Sequence, residues 1–323
     1  MASSNMTADK SPQFLEAVRL QLLLHDYRRK NQGDSNVADQ IRAELEHHWW
    51  QLSTSEQDTL EGLAADLNTS LSATPDAKSV SAEAASAILE TTRKGDYEHA
   101  LNLLRENASR LPPDFVAHMR GICWADMSKY DAAIWFFRLA TALEPKNEFH
   151  DYFLLRAQLF AKQIDDAVQR SMAIVNSNSP PMLLYAASGI LFQKALSLVP
   201  EQQKDLYWTV IKAVERANSK SSLARPAFLK DAVAANMWRC LAYDQLDQPH
   251  DALTAADYVL ALDPHHPAAS QVRALLRRLL NPSLKAETIE AFDPLHSEDA
   301  FSPKFWNFEG SSTSLANYQV SLN

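Results

Sequence analysis

From residue 11 onward, apolar residues recur at intervals of three and four, the period of a helix with one buried face. Phe14, Leu15, Val18, Leu22 and Leu23 form a broad apolar face behind Ser11-Pro12. Proline suits the first turn of a helix, where its missing N–H would have no partner anyway. The polar run over residues 31–36 breaks this pattern, and Val37, Ile41, Leu45, Trp49 and Leu52 mark a second helix. Ser53-Thr54-Ser55-Glu56 then has the form of a capping box, opening a third helix with Leu60, Leu63 and Leu67 inward. Residues 11–68 therefore read as a small amino-terminal helical bundle. A polar, disordered segment over 1–10 precedes it, and a turn-rich linker over 69–80 follows it.

Beyond residue 81 the helical pattern comes in pairs. The clearest pair spans residues 114–147: Gly121 stands three residues before Trp124, and after a polar break come Tyr130, Ala133, Phe137, Ala140 and Pro145. Small residues at these offsets allow two antiparallel helices to approach, with aromatics filling the gaps between them. The pair over 81–113 has Gly95 at the turn and Ala100 and Leu104 on its second helix. The pair over 148–181 keeps Leu154, Ile164, Ala167 and Ile174, with Leu155 in place of the glycine. Pro112, Pro145 and Pro180 lie 33 and 35 residues apart, each ending a second helix, and the next fitting proline, Pro264, follows after 84. The fourth pair is thus expected to be expanded. Its first helix carries Tyr185, Gly189 and Phe192, its second carries Leu206, Val210, Ala213 and Ala217, and a loop follows over 218–222. A fifth pair over 233–266 places Ala252, Leu253, Ala256, Val259 and Leu262 inward, and a last helix over 267–280 serves as an end cap.

This spacing resembles the tetratricopeptide repeat, a family of 34-residue helix–turn–helix units, over residues 81–280. The resemblance implies an all-α fold in which the pairs stack as a right-handed superhelical solenoid with a concave binding face. It also implies a protein-binding scaffold. The remainder, 281–323, is an irregular tail carrying Phe292, Phe301, Phe305, Trp306 and Phe308. A disordered tail is normally poor in aromatics, so this one is expected to fold back, either into the aromatic groove or, more simply, onto the last helix pair; the remaining alternative is a docking motif for another protein, mobile until bound.

Composition narrows the partner class. A net charge of −9 argues against nucleic acid, whose phosphates call for a basic surface. The one long apolar run, residues 182–199, is interrupted by Gln193 and Lys194, which argues against a membrane span. Only Cys123 and Cys240 are present, far apart, and the amino terminus lacks the basic and apolar regions of a secretory signal. The expected compartment is the reducing cytoplasm.

Candidate chemistry is sparse. There is no phosphate-cradling glycine loop, HExxH or GxSxG, so neither cofactor nor metal is expected. His47-His48 and His265-His266 are adjacent pairs that point apart on a helix, and Asp165-Asp166 and Asp96/Glu98 suit the positive ends of helices. The repeat register places Phe115, His118, Ile122, Phe149, Tyr152, Arg156, Phe160, Met237 and Leu241 on the concave side. In one subset of the family that groove is a clamp of Lys and Asn residues gripping a terminal carboxylate. The matching positions here hold Ala85, Leu89, Phe115 and Met119, which implies a different ligand. Aromatics with one arginine suit an apolar helix or an extended peptide. The same side chains would instead be plain core if a neighbouring element covered them. Two other functions fit the pattern: a subunit that homo-oligomerises through its apolar faces, or an enzyme with an active site built on the scaffold.

Overall fold

The computed structural model describes residues 11–72, 81–220 and 229–281. The expected disordered start, most of the linker and the aromatic tail with Phe301, Phe305, Trp306 and Phe308 lie outside the described residues. Among the described residues are fourteen α-helices and one 3-10 turn, with no strand. They divide into two compact units at Lys146/Asn147, whereas the sequence places its domain boundary in 69–80.

The first unit contains α1 (Pro12–Arg29), α2 (Asn36–Trp49), α3 (Thr54–Ser72), α4 (Ala82–Arg93), α5 (Tyr97–Asn107), α6 (Pro113–Asp126) and α7 (Tyr130–Leu143). Its helix starts are those the sequence announces. Ser11 Oγ accepts from the Phe14 amide at 3.1 Å, just ahead of Pro12. The capping box is closed, with Ser53 N–H donating to Glu56 Oε2 at 2.9 Å and Glu56 N–H to Ser53 Oγ at 3.4 Å. The other Glu56 oxygen accepts from Ser11 Oγ at 2.7 Å, so one carboxylate ties the starts of α1 and α3 together.

The buried face of α1 differs from the expected one: Phe14, Ala17, Val18, Leu20, Gln21, Leu24 and His25 are buried, while Leu15 and, on α2, Val37 are exposed. Leu22 and Leu23 are half-buried. A run as leucine-rich as residues 20–24 supports several faces by periodicity alone, and the contacts of α1 with α2, α3 and α7 choose among them.

α3 also runs further than expected. It continues to Ser72, four residues into the segment read as linker, because its last turns hold a polar network. Buried Asp66 accepts from Arg105 Nε at 2.6 Å and from Trp124 Nε1 at 3.1 Å. Buried Arg120 on α6 donates to the Asp66 carbonyl at 2.8 Å, to Ser70 Oγ at 2.5 Å and to Thr69 Oγ1 at 2.6 Å. Burial pushes the Asp66 carboxyl up against the opposing pull of the two guanidiniums, and it lowers Arg120 to about 10. The amino-terminal helices are therefore locked onto the first two helix pairs, α4/α5 and α6/α7.

The second unit contains α8 (Glu148–Phe160), α9 (Ile164–Asn176), α10 (Pro181–Leu196), α11 (Pro200–Lys220), α12 (Leu229–Gln245), α13 (Pro249–Leu262) and α14 (Pro267–Leu280). α8/α9, α10/α11 and α12/α13 are helix pairs, and α14 packs on α13. The fourth pair is expanded as the proline spacing predicts, with helices of 16 and 21 residues. α11 runs through Lys220, so most of the loop expected at 218–222 is helical. The fifth pair begins at Leu229 rather than at 233.

The repeat is written in the backbone of the turns. Gly95, Ser128, Lys162 and Asp247 all have positive φ, 33, 34 and 85 residues apart. At each, the next amide closes back over the helix end: Asp96 to Thr91 O, Lys129 to Trp124 O, Gln163 to Gln158 O and Gln248 to Tyr243 O, at 2.8–3.2 Å. The α1–α2 turn closes identically, with Asn31 at φ 56° and Gln32 N–H donating to Tyr27 O at 2.9 Å. The first hairpin thus shares the turn chemistry of the repeats, which its sequence does not reveal because Asn31 stands where Gly95 stands later. The molecule is an all-α, tetratricopeptide-like array of helix pairs.

Candidate functional site

The nine residues assigned to the concave face separate by environment. Phe115, His118 and Ile122 are buried, and the expectation that they face a groove is corrected. Every residue of α6 from Phe115 to Ala125 is buried, because α3, α5 and α7 all pack against this helix. His118 packs edge-on against Phe137 of α7 at 5.5 Å, while the opposite side of α6, with Arg120 and Trp124, meets α3.

In the second unit, Tyr152, Arg156 and Phe160 on α8 line a pocket of about 470 Å³. Its walls come from three successive first helices: Leu155 and Leu159 join them from α8, Tyr185, Ala186, Ile190 and Gln193 come from α10, and Asp231, Ala234 and Trp238 from α12. Lys162 and Ile164 stand at the α8–α9 turn. Phe149 is half-buried on the first turn of α8 and does not reach the pocket. Met237 and Leu241 are buried, Met237 within a cluster containing Cys240, Ala252, Ala256 and Val259 of the α12/α13 pair. The face of α12 turned to the pocket carries residues 231, 234 and 238. No local pattern anchors the rotation of this helix, whose apolar residues occur on both sides.

Gly189 supplies that anchor. A Cβ built on it would lie 2.5 Å from the outer edge of the Trp238 indole, so the missing side chain is the slot that seats the ring against α10. Gly121 does the same inside the second pair, where a Cβ would meet the Phe137 ring at 2.6 Å. The repeat glycines therefore receive aromatic rings rather than a bare partner helix.

The polar part of the pocket is compact. Tyr152 Oη donates to Asp231 Oδ2 at 2.9 Å, and Arg156 Nη1 donates to Tyr152 Oη. Arg156 also lies 3.7 Å from Asp231 Oδ1, with its guanidinium 5.3 Å from the Tyr152 ring centre. Burial raises Asp231 against the pull of Arg156 and the Tyr152 hydroxyl, and burial likewise raises the Tyr152 phenol. At the back, Tyr185 Oη donates to Asn218 Oδ1 at 2.9 Å, and Asn218 is linked to Asn236 on α12 at 3.0 Å. The hydroxyls of both tyrosines are thus already engaged. Such a lining favours an apolar occupant, with Arg156, Asp231, Lys162 and Gln193 as the polar groups that would orient it.

The other candidates have structural roles. His266 caps α14, its Nδ1 accepting from the Ala269 amide at 3.1 Å, and the His47 ring meets Gln51 Nε2 at 2.9 Å. Asp96 caps α5, and Asp165 in the first turn of α9 pairs with Lys194 at 2.8 Å. Among the described residues no three His, Cys, Asp or Glu side chains converge as a metal site, and no helix is long and apolar enough to cross a membrane. Cys123 and Cys240 are buried, and burial pushes the Cys240 thiol up to about 12.

No protein-family model matches the sequence, and neither does any curated protein. Among solved structures, the TPR domain of P58(IPK) is similar at 13% identity and a TM-score of 0.30, covering 96% of this chain and 79% of that one. The description of this chain as tetratricopeptide-like rests on its own helix pairs and their repeated turns.

Proposed function

We propose that the protein is a non-catalytic protein-binding scaffold, and that the pocket between α8, α10 and α12 holds an apolar helix or extended segment of a polypeptide partner. The observation that supports this reading is an apolar pocket with Tyr152, Leu155, Tyr185 and Ile190 as its buried floor and half-buried Leu159, Phe160 and Trp238 at its mouth. A few aromatic anchors in such a pocket supply most of the binding energy of an interface, largely independent of its total area. The charge of −9 favours a protein over nucleic acid, and cytoplasmic localisation remains our expectation.

Peptide-display selection against the full chain tests the proposal. The expected result is enrichment of peptides with large apolar side chains, binding with Kd on the order of 1–100 μM. Ala234→Trp, which fills the pocket, is expected to weaken them at least about tenfold while leaving thermal melting unchanged. Failure to enrich any peptide, or equal binding by the filled variant, would contradict it.

A further inference from the structure

α14 is only half covered. Ala269, Val272 and Leu276 are buried in the cluster it shares with α13. One turn apart on another face, Leu275 and Leu279 are 44% and 64% exposed. The preceding first helix, α12, packs against α10 and α11 on one side and against its own second helix, α13, on the other. α14 follows α13 as the first helix of another pair would, and among the described residues it has no second member.

Charge sets this helix apart as well. The chain carries −9 overall, yet α14 contains Arg273, Arg277 and Arg278 and no carboxylate of its own. Arg273 and Arg277 both reach for the same oxygen of Asp257, at 3.7 and 3.6 Å, so one acid is shared by two cations.

The sequence that follows is complementary in both respects. Ile289, Phe292 and Leu295 recur every third residue, and Glu287, Glu290 and Asp293 each stand two positions ahead of one of them. Lys285 is the only lysine or arginine between positions 282 and 300. The segment begins a few residues after α14 ends, a connection of the length that usually joins antiparallel helix neighbours.

We propose that residues 284–295 dock on the exposed face of α14, with Ile289 and Phe292 over Leu275 and Leu279 and with the acidic residues beside the arginines. The occupant is this chain's own segment. The surface is distinct from the pocket, and the proposal does not depend on what the pocket binds.

Two measurements on the full chain test it. In the double variant Leu279→Cys/Phe292→Cys, mild oxidation is expected to give an intrachain disulfide in most molecules, read by peptide mapping. Leu279→Cys/Ser314→Cys serves as the control and is expected to cross-link far less. In the single variant Phe292→Asp, amide exchange along α14 is expected to accelerate about tenfold or more while α8–α11 keep their protection. A cross-link between two chains would overturn the proposal in favour of a second copy on this face. Equal cross-linking of the control, no intrachain bond, or unchanged exchange in α14 would overturn it as well.

Discussion

Gly121 and Gly189 are sites where a missing side chain fixes the position of a ring. Replacing Gly121 with leucine drives a side chain into the Phe137 ring, which a Cβ alone would approach to 2.6 Å. Overpacking of this kind destabilises by about 1–3 kcal/mol, partly offset by the better helix propensity of leucine. Thermal or denaturant melting of Gly121→Leu is expected to show that loss, and an unchanged midpoint would mean that the ring has room to move. His25 gives a second prediction at this scale. Its ring is buried edge-on against Trp135 at 4.9 Å, and neither nitrogen has a hydrogen-bond partner among the described residues. Burial pushes its pKa down to about 4, with Asp26 opposing and Arg29 and Arg28 assisting. In the unfolded chain histidine takes up its proton near pH 6.5. The stabilisation is therefore complete above that pH and falls between about 6.5 and 4, by at most about 1.4 kcal/mol per unit. His25→Leu is expected to flatten the pH dependence of stability in that window, and an unchanged slope would show that another group causes it.

At the scale of elements, Arg120 and Asp66 connect α6 to α3. Removing one partner of a buried ion pair leaves an uncompensated charge and costs about 3–5 kcal/mol. Asp66→Ala removes the carboxylate that pairs with both Arg105 and Arg120 and should be the more destabilising of the two changes considered. Arg120→Met should lose less, because Arg105 and Trp124 still satisfy Asp66. If urea denaturation ranks the two variants the other way, Arg120 is the member that holds the network together. This network was not legible in the sequence. Asp66, Thr69 and Ser70 look like the fraying end of a helix, and no local pattern says that an arginine about 50 residues later needs them. The helix starts were legible, because Ser11, the Ser53–Glu56 box and Asp96 act on amides within three positions. Periodicity likewise revealed the helix pairs and the expanded fourth unit. Tyr152, Arg156 and Phe160, assigned by the repeat register to one face of α8, line one pocket, whereas Trp238 was missed because only the Gly189 slot, on another helix, decides which side of α12 faces inward.

For the molecule as a whole, similar helix pairs are put to two uses. In the first unit, α6 is enclosed by α3, α5 and α7, and Phe115, His118 and Ile122 are core. In the second unit, the corresponding faces of α8, α10 and α12 leave an apolar pocket open. If the pocket accepts an apolar polypeptide segment, as proposed, a partner held there lies within reach of a cross-linker on its wall. A photo-reactive phenylalanine analogue placed at position 186, on the pocket wall, tests it in native extract. The expected result is an adduct that maps to an apolar stretch of another protein and disappears when Ala234→Trp is added. No adduct, adducts that persist in the filled variant, or adducts only with further copies of the same chain would contradict it.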